Sequence, residues 1–232
     1  MPTLSIPAYI LHADVQNKPV AHAWRGAADF TRENDKLAQQ LTTLSLRARL
    51  ACAAATAEWI YWRLRGETDF DAPLQMIEAA WAANCDVRYC QTPTVSEFED
   101  RKGPVNGVLR ASKDILANVL RSYKAESAGS LTSRTVYLYF LARHVLPDKV
   151  AFDAWLKAAI KRLALLYPHV EGQLGEPVPR EAMNTEEDFQ KADAPRLLAE
   201  FLGRLTPAEN RYLRSPEQVL AEGFAGTPYR LS

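Results

Sequence analysis

Few residues in this chain could do chemistry, and they are scattered. Four histidines, His12, His22, His144 and His169, show neither HxH nor HExxH spacing, so no helical face presents two imidazoles to a metal. Cys52, Cys85 and Cys90 form no CxxC pair. Cys52 falls in an alanine-rich helix and reads as a small core residue, and no histidine near Cys85 and Cys90 completes a zinc set. Asp69 and Asp71, in "TDFDAP", imitate a DxD metal pair, but Asp71 is placed to cap the next helix and no further acid follows at ligand spacing. GxSxG, P-loop and GxGxxG patterns are all missing. The expectation is a protein that is not an enzyme, with no metal and no cofactor.

One stretch departs from this blandness. "EWIYWRLRG", residues 58–66, crowds two tryptophans, a tyrosine and two arginines into little more than two helical turns. It is either an aromatic and basic surface for a ligand or the filled end of a buried helix. At 100° per residue, Leu37, Leu41, Leu44, Ala48, Ala51, Ala55, Trp59 and Trp62 fall within about 40° of one direction. Leu46, Leu50, Ala53, Ala57, Ile60 and Leu64 fall within about 40° of the opposite one. Arg47, Arg49, Thr56, Glu58, Arg63 and Arg65 lie between. Two opposed apolar stripes predict a helix held between layers, with Trp59 and Trp62 in the core and the arginines emerging from its flanks. At about 30 residues and a rise of 1.5 Å each it spans roughly 45 Å, the diameter expected of the whole chain.

The other elements are helical too. Thr31 or Asp29 is positioned to cap the long helix, which Gly66 ends. Asp71, with Pro73 in the first turn, opens "APLQMIEAAWAAN". "GPVNGVLRASKDILANVLRSYKAES" repeats apolar residues at 3-4 spacing. Thr132 or Ser133 opens "RTVYLYFLARHVL", whose His144 lies where a cation meets the helix C-terminal dipole. Asp148 opens "KVAFDAWLKAAIKRLALLY". Residues 168–184, with three prolines and two glycines, predict a long surface loop, and Thr185 caps "EEDFQKADA". Thr206-Pro-Ala-Glu209 and Ser215-Pro-Glu-Gln218 have capping-box form. Glu97, Glu99 and Asp100 beside Arg101 and Lys102 read as a solvated turn. Strand signals are almost missing. The predicted fold is all-α: one domain over residues 1–232, a bundle of about eight helices around one long buried central helix.

Charge narrows the partners. Lysine plus arginine number 28, as do aspartate plus glutamate, whereas a phosphate-gripping protein carries a basic excess, so nucleic acid is not expected. The start lacks a basic segment followed by an unbroken apolar one, and no apolar run reaches bilayer length, so a cytoplasmic protein with reduced thiols and no membrane partner is expected. The charges are unevenly spread. Residues 101–166 hold twelve lysines and arginines against four acids, and residues 171–193 hold seven acids against Arg180 and Lys191. Either these charges meet each other across the fold or simply keep the surface soluble, or the acidic segment recognises a basic partner through Glu181, Glu186, Glu187, Asp188 and Asp193.

The segments "WRGAADF", "AAWAANCD" and "LARHVLPDKVAFDAWLKAAIKRL", in a helical chain with a polarised surface and no active site, resemble the helical immunity proteins of bacterial polymorphic-toxin and contact-dependent systems. The resemblance implies a partner, a cognate toxin, that the protein binds and occludes. The alternative is a helical ligand-responsive regulator with an aromatic pocket near Trp59 and Trp62. "SPEQVLAEGFAG", at the C-terminus, has no arginine or lysine, which is unlike a DNA-reading helix.

Overall fold

The computed structural model describes residues 4–16, 18–91 and 102–230. Every regular element among them is helical: α1 (Ala8–His12), α2 (Asp35–Thr42), α3 (Leu46–Leu64), α4 (Ala72–Cys85), α5 (Val108–Lys124), α6 (Ala128–Val145), α7 (Lys149–Leu166), α8 (Ala194–Arg204) and α9 (Pro216–Ala221). The turn read over Glu97, Glu99, Asp100 and Arg101 lies outside the described residues. α3 is the axis of the bundle. It packs against α4, α5, α6 and α7, while α2 lies on α6 and a 3-10 turn at Arg180–Met183 closes over α3 and α7.

The long helix is corrected in two ways. It does not run unbroken from Thr31 to Arg65 but divides at Thr43–Ser45 into α2 and α3. Asn34 caps α2 by accepting from Leu37 N, and Ser45 caps α3 by accepting from Ala48 N at 3.2 Å. Arg49, one turn into α3, holds the break closed: its Nε donates to Leu44 O and its Nη2 to Thr42 O, both at 3.0 Å. The carbonyls that α2 leaves unpaired at its end thus find donors. The chain after α7 pairs with the same break, Ser45 N donating to Tyr167 O and His169 N to Thr43 O. Gly175 passes so close, with φ +86, that a Cβ there would stand 2.4 Å from Ser45 Cβ.

The second correction concerns the flanks of α3. The apolar stripes are buried as expected, but so are Arg49, Thr56, Glu58 and Arg63 between them. Only Trp62 and Arg47 of this helix are half-buried. The arginines do not emerge because neighbours surround the helix on all sides and meet several of its polar groups: Arg49 as above, Arg63 Nη2 through Pro19 O, and Glu58 through Arg180 and Trp81, while Arg63 Nε and Nη1 are buried with no hydrogen-bond partner among the described residues. Alanines at positions 48, 51, 53, 54, 55 and 57 let those neighbours approach closely.

Elsewhere Asp148 caps α7 by accepting from Val150 N, and Ser215 with Gln218 forms the capping box of α9. Asp71 precedes α4 but bonds the Gln75 side chain instead of a backbone N–H. α6 starts at Ala128, ahead of Thr132, whose hydroxyl accepts from Arg49 Nη1 inside the bundle. Thr206 opens only a 3-10 turn and makes no cap hydrogen bond. No helix among the described residues is long and apolar enough to cross a membrane.

His144 does more than meet a helix dipole. Its Nε2 donates to Ala23 O at 2.6 Å, 3.4 Å from the buried Asp29 carboxylate, and His22, whose Nε2 bonds Pro104 O, meets it edge-on with centroids 5.4 Å apart. Burial holds His22 below the usual imidazole range, with the His144 and Arg63 charges adding to it against the Pro104 bond. Burial opposes ionisation of Asp29, but hydrogen bonds from the Arg25 backbone and side chain, with the His144 and Arg25 charges, outweigh it and hold the carboxyl below its usual range. The His22 contribution to stability is therefore complete above about pH 6.5 and is lost as pH falls, and that of Asp29 is complete above about pH 4 and lost on further acidification. Urea midpoints of His22→Gln should change less between pH 7 and pH 5 than those of the parent; equal changes would exclude this role for His22.

Candidate functional site

The acidic segment does not form the predicted helix. Residues 185–190 are turns and extended chain, Asn184 takes the turn by accepting from Glu186 N at 3.3 Å, and the next helix, α8, starts only at Ala194, after Asp193. "EEDFQKADA" carries too little periodic apolar character to bury a helical face, and Pro195 sets the helix start downstream.

The loop leading to it runs exposed over residues 168–173, as its proline and glycine content predicts, but turns into the bundle over 178–183. Val178, Ala182 and Met183 are fully buried. Four side chains from the bundle tie its backbone down, and a fifth, Glu58, holds the Arg180 side chain. Arg47 Nη1 donates to Gly175 O at 3.1 Å, and Asn84 Oδ1 accepts from Val178 N at 2.7 Å. Trp155 Nε1 donates to Met183 O at 2.8 Å. Arg162 reaches Ala182 O, Asn184 O and Glu187 O at 3.4, 2.6 and 2.7 Å. Buried Glu58 accepts from Arg180 Nε at 2.8 Å and from Arg180 Nη2, and its Oε1 also takes Trp81 Nε1–H at 2.7 Å. Arg180 Nη2 extends to Ser5 O at 2.6 Å and so clips the N-terminal segment to the same point.

The five acids singled out from the sequence share one anchored stretch, and all are exposed. Glu186 pairs with His12 Nδ1 at 2.7 Å, and Asp193 lies 3.6 Å from Arg196. Glu181, Glu187 and Asp188 make no ion pair with any described residue. No described ion pair joins an acid of residues 171–193 to a cation of residues 101–166; Arg162, which comes from that basic stretch, binds carbonyls instead. Compensation across the fold is thus not what fixes these charges.

Beneath Glu186 lies a cleft of about 360 Å³ between α1, α3, α7 and the acidic loop. Its aromatic lining is Tyr9, Trp59 and Trp155, its small walls Ala13, Ala151 and Ala154, and its polar edge His12, Thr185 and Glu186. Tyr9 stacks on Trp155 at 5.1 Å and 13°, and Trp59 meets Tyr9, Phe152 and Trp155 with centroids 5.5 to 5.9 Å apart. Burial first, then the neighbouring Glu58 carboxylate, keeps the Tyr9 phenol protonated well above its ordinary range. Trp59 lines this cleft; Trp62, which stacks edge-on against Tyr61, is not among its lining residues.

None of the three cysteines is an activated nucleophile. The three cysteines are buried, which pushes each thiol up to about 12, where the thiolate is scarce. No group of three or more His, Cys, Asp or Glu among the described residues could hold a metal ion. Sequence reasoning missed Glu58, Arg180, Arg162 and Tyr9 as parts of this site, since each acquires its role through contacts between distant segments. No family model matches the chain, and no characterised protein or solved structure is detectably similar to it.

Proposed function

We propose that this chain is a non-enzymatic binding protein, and that its role is that of an immunity protein which neutralises a cognate bacterial toxin by occluding it. The observation that carries this reading is the acidic loop. Glu181, Glu187 and Asp188 stand exposed, with no ion pair to any described residue, on a loop whose backbone is held by Arg162, Trp155, Asn84 and Arg47 and whose Arg180 side chain is held by Glu58. A charged surface already ordered before contact spares the partner the entropy of ordering it. Opposed potentials then raise the association rate and fix orientation. A standard interface covers about 800 Å² per partner, which a face of this domain accommodates.

If a gene adjacent to the one for this chain encodes a toxin domain, co-expression of the two tests the proposal. The chain should protect the cells, and Glu187→Lys with Asp188→Lys should slow association with the toxin about tenfold at low salt. The difference should shrink as salt shortens the screening length to about 8 Å near 0.15 M. Both positions are exposed, so the fold should change by less than about 0.5 kcal/mol. Full protection with an unchanged association rate would remove the acidic loop from the interface.

A further inference from the structure

We infer that the cleft under the acidic loop receives one basic side chain, an arginine or a lysine, from the protein partner. The inference rests on the reading of the acidic loop as a protein-binding surface and adds the chemistry of its anchor. Three aromatic residues line the cleft and one carboxylate, Glu186, stands at its edge. A cation near aromatic rings gains from their quadrupoles, and a carboxylate at the rim fixes its head group, while the aliphatic stem fills apolar space. The alanines at 13, 151 and 154 leave room for that stem. At present Glu186 meets only the imidazole of His12, which is itself largely exposed.

The molecule supplies an internal precedent on the other side of the same loop. There a cleft of about 530 Å³ includes Tyr167, Glu176 and Lys191. Lys191 Nζ lies 5.2 Å from the Tyr167 ring centroid and 2.6 Å from Glu176 Oε2. Ring, carboxylate and ammonium are all provided by the chain itself. The cleft at Tyr9, Trp59 and Trp155 repeats the ring and the carboxylate but contains neither lysine nor arginine. Its position at Glu186, two residues from Asp188, which pairs with no described residue, places it where an approaching basic surface is drawn.

Two titrations decide the matter. n-Butylguanidinium and n-butylammonium, added to the full chain, should give a saturable change in tryptophan emission that uncharged n-butanol does not. Glu186→Gln should weaken it about tenfold, as expected for loss of a charged hydrogen-bond partner. Ala154→Phe, at an exposed position of α7, should fill the cleft and abolish the change while leaving the fold intact, checked by circular dichroism. Butanol binding as well as the cations, or an unaffected Ala154→Phe variant, overturns the inference. The second titration uses the basic partner. If Glu187→Lys with Asp188→Lys slows its association but Ala154→Phe leaves its affinity unchanged, the loop reading stands and the cleft inference falls. If the loop charges have no effect, the loop reading falls, and the small-cation titration decides the cleft by itself.

Discussion

Arg180→Ala is expected to destabilise the fold by about 3–5 kcal/mol, measured by urea denaturation. Glu58 is fully enclosed on α3, and Arg180 is the cation that meets it. Removing the guanidinium leaves a carboxylate in the interior with only the Trp81 indole N–H as a donor, and also strips Ser5 O of its partner. The cost comes mainly from the uncompensated charge, not from the worth of the pair. That distinction has its own test. Glu58→Gln combined with Arg180→Met removes both charges and keeps an acceptor for Trp81, so the double variant should lie closer to the parent than Arg180→Ala does. A loss under about 1 kcal/mol for Arg180→Ala would show that the carboxylate relaxes to water when its partner goes.

The same pair connects stability to function. Arg180 begins the 3-10 turn that carries Glu181 and leads directly into the acidic loop. An ionic contact inside the bundle therefore fixes where an exposed charged surface stands. Arg162 repeats the device further along, spending its guanidinium on carbonyls of the loop and leaving the loop's carboxylates free to face outward.

How much of this could be read from the sequence differs by level. The helical class was legible because apolar residues recur at helical spacing almost throughout, and the central position of residues 46–64 because two opposed stripes leave no face for water. The break at Thr43–Ser45 was concealed by continuity of the pattern: Leu37, Leu41 and Leu44 stay in phase with Ala48 and are buried on either side of it. Ser45 followed by a helical run was the available signal, since serine caps helices and Ala48 N is its acceptor's donor. Burial of Glu58 and Arg63 was not legible, because periodicity marks a charged residue between two apolar stripes as solvated unless its partner is known. That partner for Glu58 is 122 residues away. Composition read the exposed first part of the 168–184 segment correctly and missed the rest for a similar reason: prolines and glycines signal irregular backbone, but not that Asn84, Trp155 and Arg162 bind that backbone to the bundle. Of the site, the acidic residues were legible as a charge cluster; the cleft below them exists only where four elements meet.

The two tryptophans of the opening stretch should therefore part company under mutation. Trp59 is enclosed by Tyr9, Phe152 and Trp155, and its replacement by alanine leaves a void that three other large rings cannot collapse to fill. Trp59→Ala should cost about 3–5 kcal/mol. Trp62 stands one turn further along, half-buried and beside Tyr61, with part of its surface already in water. Trp62→Ala should cost about 1–2 kcal/mol, within the range of ordinary substitutions. Fluorescence separates the two independently of stability. The emission lost in Trp59→Phe should be blue-shifted and resistant to iodide, and that lost in Trp62→Phe should be further to the red and quenchable. Comparable losses of stability would mean that α3 is enclosed equally at both residues. A Trp59→Ala variant losing under about 1 kcal/mol would mean instead that this end of the bundle is open, and that the aromatic residues below Glu186 belong to a wider ligand pocket than the cleft seen here.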